Sequence, residues 1–169
     1  MEKKLKPYTK WGILLAAFMG VFLHFLYDLT GNSVWAGLFS PVNESVWEHM
    51  KLAFFPLFVY FLYEILRIRK KVPSLSRASA WGILTGTFVI PVVYYTYTGI
   101  LGRHILAVDI ATLLLAIFLG FGRQRKIIGQ SSFLPAGNGF LPWGLVILTG
   151  LCFFAFTFQP PSLPLFVGP

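Results

Sequence analysis

Five apolar stretches recur along this chain, at residues 11–29, 50–66, 79–98, 104–121 and 141–158. Each approaches the ~20 residues that a helix needs to cross the hydrocarbon of a bilayer. Lipid offers no partner to a backbone N–H or C=O, so an apolar run of that length has to satisfy its own backbone as a helix. With 56% hydrophobic and only 12% charged residues, the chain has too little polar surface for a water-soluble globule of 169 residues. The expected fold is therefore all-α: a polytopic transmembrane bundle of about five spans, forming one integral-membrane domain over 1–169.

The basic residues lie between the apolar runs. Lys3, Lys4, Lys6 and Lys10 precede the first; Arg67, Arg69, Lys70, Lys71 and Arg77 join the second to the third; Arg123, Arg125 and Lys126 follow the fourth. Only Lys51 and Arg103 fall on the other side. The positive-inside rule then places the N-terminus in the cytoplasm and, after five spans, the C-terminus outside. The first run resembles a secretory signal, but it continues to Leu29, contains His24 and Asp28 and has no Ala-x-Ala site, so a retained anchor is expected. The net charge of +8 is dispersed in short clusters, which suits orientation and anionic lipid better than nucleic acid. A multi-pass protein of the cell membrane, with the bilayer itself as partner, follows. Cys152 is the sole cysteine and lies in an apolar run, which excludes a disulfide framework or a thiolate metal cluster.

Against this background the polar residues of one face stand out. All three histidines (His24, His49, His104) and four of the six acidic residues (Asp28, Glu44, Glu48, Asp109) fall at or just inside the outer boundary. An ionisable group within hydrocarbon costs roughly 2.5–3.5 kcal/mol even on lenient insertion scales, so such groups usually mark function. At ~1.5 Å rise per residue, His24 and Asp109 lie level, below an upper layer of Asp28, Glu48, His49 and His104. His24 and Asp28, at i and i+4, share a helix face. His104 and Asp109 are five apart and diverge on a regular helix, unless the helix start is irregular. Tyr94, Tyr95, Thr96, Tyr97 and Thr98 reach the same end, as interfacial anchors or, for one or two tyrosines, as hydrogen-bond donors to a substrate.

The outer loop reads Ser40-Pro41-Val42-Asn43-Glu44-Ser45-Val46-Trp47-Glu48-His49-Met50-Lys51-Leu52. Ser40 and Pro41 make a good N-cap and first turn, which predicts a helix from here into the second span. That helix would align Glu44, Glu48 and Lys51 in one row and Ser45 with His49 in the next. Acidic residues at a helix start also complement its dipole, and Glu48 with Lys51 can form an ordinary ion pair. Elsewhere, Pro56 and Pro91 are expected to kink their helices, and Gly82-x-x-x-Gly86 can bring two helices close. The uncharged segment from Gly129 to Gly139 reads as an inner loop.

Imidazoles and carboxylates in this combination suit one divalent metal ion, zinc foremost. Three protein ligands and a water make a catalytic site, with a further carboxylate as general base. The metal-ligand candidates are His24, Asp28, His49 and His104; the catalytic candidates are Glu44, Glu48 and Asp109. The expected function is a metal-dependent membrane-embedded hydrolase whose site faces outward and takes a lipid or other amphipathic substrate. The rival is a small proton-linked transporter, or a non-enzymatic accessory subunit, using the same residues as a relay or a polar knot. No Walker loop, dinucleotide fingerprint or Gly-x-Ser-x-Gly elbow is present.

The outer-loop run Ser40 to Leu52, preceded by His24-Phe25-Leu26-Tyr27-Asp28, resembles the signature of an uncharacterised bacterial family of small integral-membrane proteins, a domain of unknown function. That resemblance covers most of the chain and implies a small multi-pass protein built around these motifs, with no activity attached. In ingredients alone, the chain is also similar to the membrane hydrolase superfamily that includes alkaline ceramidases, where histidines and an aspartate hold zinc among seven helices. Five spans and a different spacing separate it from that pattern.

Overall fold

A computed structural model describes residues 2–130 and 139–168, with side chains from residue 7 onward. The described residues form five long helices, α1 (Glu2–Leu29), α3 (Val46–Ile68), α4 (Leu75–Leu101), α5 (Leu106–Gln130) and α6 (Phe140–Phe158), with a single-turn α2 (Val34–Gly37) in the loop between α1 and α3 and short 3-10 turns at Arg69–Lys71 and Pro164–Phe166. Four are long and apolar enough to cross a membrane: Pro7–Leu29, Leu75–Leu101, Leu106–Gln130 and Phe140–Phe158. Phe18, Ile100, Phe118 and Leu141 are among the large apolar side chains that these four expose. Such a surface is an aggregation hazard in water and the required one in lipid.

The fifth long helix, α3, is the hub. Its 23 residues contact α1, α4, α5 and α6, and Met50, Ala53, Leu57 and Phe61 are sealed from solvent. Both α3 and α4 run uninterrupted through their internal prolines, Pro56 and Pro91. The Gly82-x-x-x-Gly86 motif is a packing face, because a Cβ at Gly82 would sit 2.7 Å from the Gly120 carbonyl oxygen of α5, and one at Gly86 would sit 2.9 Å from that of Ala116. Any side chain there forces α4 and α5 apart. Beside this seam the Phe61 and Phe121 rings meet edge to face at 4.7 Å.

The turns that end the helices decide which groups meet. Gly31 and Asn32 adopt φ of 64° and 62° after α1, and their N–H groups return to the carbonyls of Asp28 and Tyr27. Gly102, at φ 69°, ends α4 with its N–H on Thr98 O. Left-handed geometry costs glycine nothing, so α4 reverses into α5 within a few residues.

The expectation for the outer loop needs correction. The helix that becomes α3 starts at Val46, not at Ser40, and Ser45 is its N-cap, accepting a 3.3 Å bond from Glu48 N. Asn43 Oδ1 accepts from Ser45 N at 2.9 Å, holding residues 43–45 in a turn. Ser40 is not free to cap, since its hydroxyl donates to Leu23 O at 2.6 Å and accepts from Tyr27 N at 3.1 Å. A tertiary role for the serine thus outcompetes the local one. Glu44 consequently lies outside the helix and forms no row with Glu48 and Lys51. Most of the uncharged inner loop, residues 131–138, lies outside the described residues.

Candidate functional site

Glu44, freed from the helix by the turn at Asn43, folds back over the first turn of α3, and its Oε2 lies 3.4 Å from His49 Nε2. The other ring nitrogen, Nδ1, is 2.9 Å from Ser45 O. A carbonyl can only accept, so Nδ1 carries a hydrogen and Nε2 is the atom left to meet a proton or a cation. From α1, the His24 ring approaches His49 edge-on at 5.4 Å between centroids. One donor atom from each of His24, Glu44 and His49 lies within 4.8 Å of the other two. His24 and His49 are half-buried, whereas Glu44 is exposed.

These three line a cavity of about 340 Å³ that His104, Asp109 and Tyr94 also line. Between the polar groups the walls are apolar, formed by Leu52, Ile90, Leu106, Ile110 and Leu113. The helix start of α5 is the irregular one: α5 begins at Leu106, so His104 precedes it and its Nδ1 comes to 3.6 Å from Asp109 Oδ2. The divergence expected on a regular helix therefore does not arise. The Tyr97 hydroxyl donates to Asp109 Oδ1 and accepts from Ile105 N at 3.3 Å. Tyr97 thus ties the last turn of α4 to the first turn of α5 and fixes the carboxylate.

Two candidates from the sequence lie elsewhere. Asp28 is exposed and does not line the cavity, so the face it shares with His24 by spacing is not one on which both reach the same space. Glu48 is buried, and its Oε2 accepts from Lys51 Nζ at 2.7 Å and from Val42 N at 3.0 Å. Lys51, at 0% exposure, also donates to Gly37 O at 2.9 Å, to Ser40 O at 3.4 Å and to Thr157 Oγ1 on α6 at 2.6 Å. This ion pair ties the loop between α1 and α3, α3 itself and α6 together. The carboxylate that the structure groups with His24 and His49 is Glu44.

Spacing alone did not select Tyr97 from its neighbours, nor Lys51 as the centre of a knot. The Gly102-Arg103 break between spans was the available signal for Tyr97, since a tight reversal puts the end of α4 beside the start of α5. The 3-10 turn Pro164–Phe166 returns to the same end of the bundle: Phe166 packs against Trp47 at 4.9 Å, and a Cβ on Gly168 would stand 3.6 Å from Glu44 Cβ.

With this geometry in hand, the comparisons with known proteins add a family without an activity. The model of the family of unknown function DUF6512 matches residues 1–168, and the chain belongs to that family. No curated protein and no solved structure matches it.

Proposed function

We propose that this member of the family is a membrane-embedded, metal-dependent hydrolase in which His24, Glu44 and His49 hold one divalent cation, zinc by donor type, at the polar wall of the cavity. The observation that carries the reading is the convergence of three potential ligand atoms, from α1, the outer loop and α3, within 4.8 Å of one another. Donors of a tetrahedral zinc stand about 3.3 Å apart, and the Glu44–His49 separation is 3.4 Å. Ser45 O supports it further, since it holds the His49 tautomer whose Nε2 lone pair turns toward Glu44. Without a cation between them, that lone pair and the carboxylate repel, unless His49 is protonated.

Zinc would bring the pKa of a bound water to ~7 and supply a hydroxide at neutral pH. Held by His24, Glu44 and His49, the metal would supply an activated water for attack on an ester or amide carbonyl and positive charge for the developing oxyanion, with an alcohol or an amine as the leaving group. Asp109, oriented by Tyr97 and beside His104, takes the water proton and returns it to the leaving group. The apolar walls suit the chain of a lipid ester or amide, with its polar linkage at the histidines.

Elemental analysis of untagged protein tests the site: about one metal ion per chain is expected, lost in His24→Ala and His49→Ala and kept in Asp28→Asn and Asp109→Asn. Metal-dependent release of fatty acid from ester or amide amphiphiles, abolished in Asp109→Asn, tests the chemistry. Stoichiometric metal without turnover refutes the hydrolytic part. A folded, metal-free wild type refutes both and leaves the proton-linked or non-enzymatic reading of the same residues.

A further inference from the structure

A second polar cluster lies in the other half of the bundle, 15 residues along α3 from His49 and so about 22 Å away by helix rise. Glu64 of α3, Gln124 of α5 and Ser79 of α4 are all at 0% exposure. Gln124 Nε2 donates to Glu64 Oε2 at 2.6 Å and to Ser79 Oγ at 3.0 Å, which uses both amide hydrogens. Two acceptors remain without a donor, Glu64 Oε1 and Gln124 Oε1, the second oxygens of the same two groups. A carboxylate left like this in an apolar interior is costly, and such groups neutralise instead.

One hydrogen repairs both defects. We propose that Glu64 and Gln124 form a proton-binding site, with a proton on Glu64 Oε1 donated to Gln124 Oε1, opposite the bond from Gln124 Nε2 to Glu64 Oε2. Acid and amide then close an eight-membered ring with two hydrogen bonds, and Ser79 fixes the amide from its far side. Among the described residues no ion pair involves Glu64. The titratable or charged groups near enough to act on it are Tyr60 of α3 and Arg125 of α5. Both are engaged with α1, the Tyr60 hydroxyl donating to Tyr8 O and Arg125 donating to Thr9 Oγ1. The bound proton thus locks α3 to α5, and its loss sets a carboxylate oxygen against an amide oxygen. This site is independent of the metal reading of the outer cavity.

Infrared difference spectroscopy of the full chain in detergent or lipid, wild type against E64Q at neutral pH, reads the proton directly. The expected result is a carbonyl band of a protonated carboxylic acid that shifts in D2O, vanishes in E64Q and moves to higher frequency in Q124L, where the acceptor is gone. E64Q should unfold at the wild-type denaturant midpoint, because glutamine can replace the acid O–H with an amide N–H. Absence of any acid band that E64Q removes overturns the proposal. So does a strong loss of stability in E64Q, which marks a charged Glu64. Stabilisation of wild type but not E64Q by Na⁺, K⁺ or Mg²⁺, without the acid band, assigns the two oxygens to a metal cation and also overturns it.

Discussion

Replacing Lys51 by methionine removes one charge, keeps most of the volume and leaves the apolar stem packed. Glu48, at 2% exposure, would lose its 2.7 Å partner and keep only the Val42 N–H. Deleting one member of a buried ion pair typically costs about 3–5 kcal/mol, because the other charge stays behind. Gly37 O loses its 2.9 Å donor as well, an effect of about 1 kcal/mol or more. Against a total of roughly 5–15 kcal/mol for a folded domain, Lys51→Met should remove about a quarter or more of the stability. Adding Glu48→Gln removes the stranded charge while keeping an acceptor for Val42 N–H, so the double variant should recover about 2 kcal/mol or more, within the coupling range of contacting residues. Unfolding in mixed micelles, followed by tryptophan fluorescence, measures all four corners of the cycle. A Lys51→Met variant within ~1 kcal/mol of wild type, or strict additivity with Glu48→Gln, would refute the view that this pair fastens the outer loop to α3 and α6.

Gly82→Val should destabilise the bundle by about 1–3 kcal/mol, since its Cβ would sit 2.7 Å from a backbone oxygen, whereas Gly99→Ala, with nothing within 4 Å, should stay near wild type in the same assay. Reporter fusions after Lys71 and after Arg125 should report cytoplasm, and a fusion after Pro169 the exterior, if the basic clusters orient five crossings.

Helices were legible because lipid leaves a long apolar run no other structure, and the seam at Gly82 and Gly86 was legible because close approach of two backbones demands small residues. Counting depth along the spans put His24, His49, His104 and Asp109 near one end of the bundle, where all four line one cavity. Depth carries no azimuth, however, and Asp28, one turn from His24, is exposed and does not line the cavity. Nor does local grammar foresee tertiary competition: Ser40 has the makings of an N-cap, yet α1 claims its hydroxyl through Leu23 O and Tyr27 N. Once Ser40 was taken, the helix began five residues later and Glu44 moved to His49, a consequence hidden from any helical spacing rule. Glu64 and Gln124 were passed over for a related reason. They are 60 residues apart in sequence, and only the packing of α3 on α5 makes them partners.

The return of residues 164–168 to the end of the bundle that holds the cavity bears on how this protein should be handled. Gly168 lies against Glu44, so an oligohistidine tag joined there would bring foreign imidazoles within reach of His24 and His49 and counterfeit a metal stoichiometry. Purification is therefore better engineered from the other end of the chain. The same proximity offers a built-in optical probe: Phe166 packs against Trp47, so peeling the tail away should change the emission of that indole without any label.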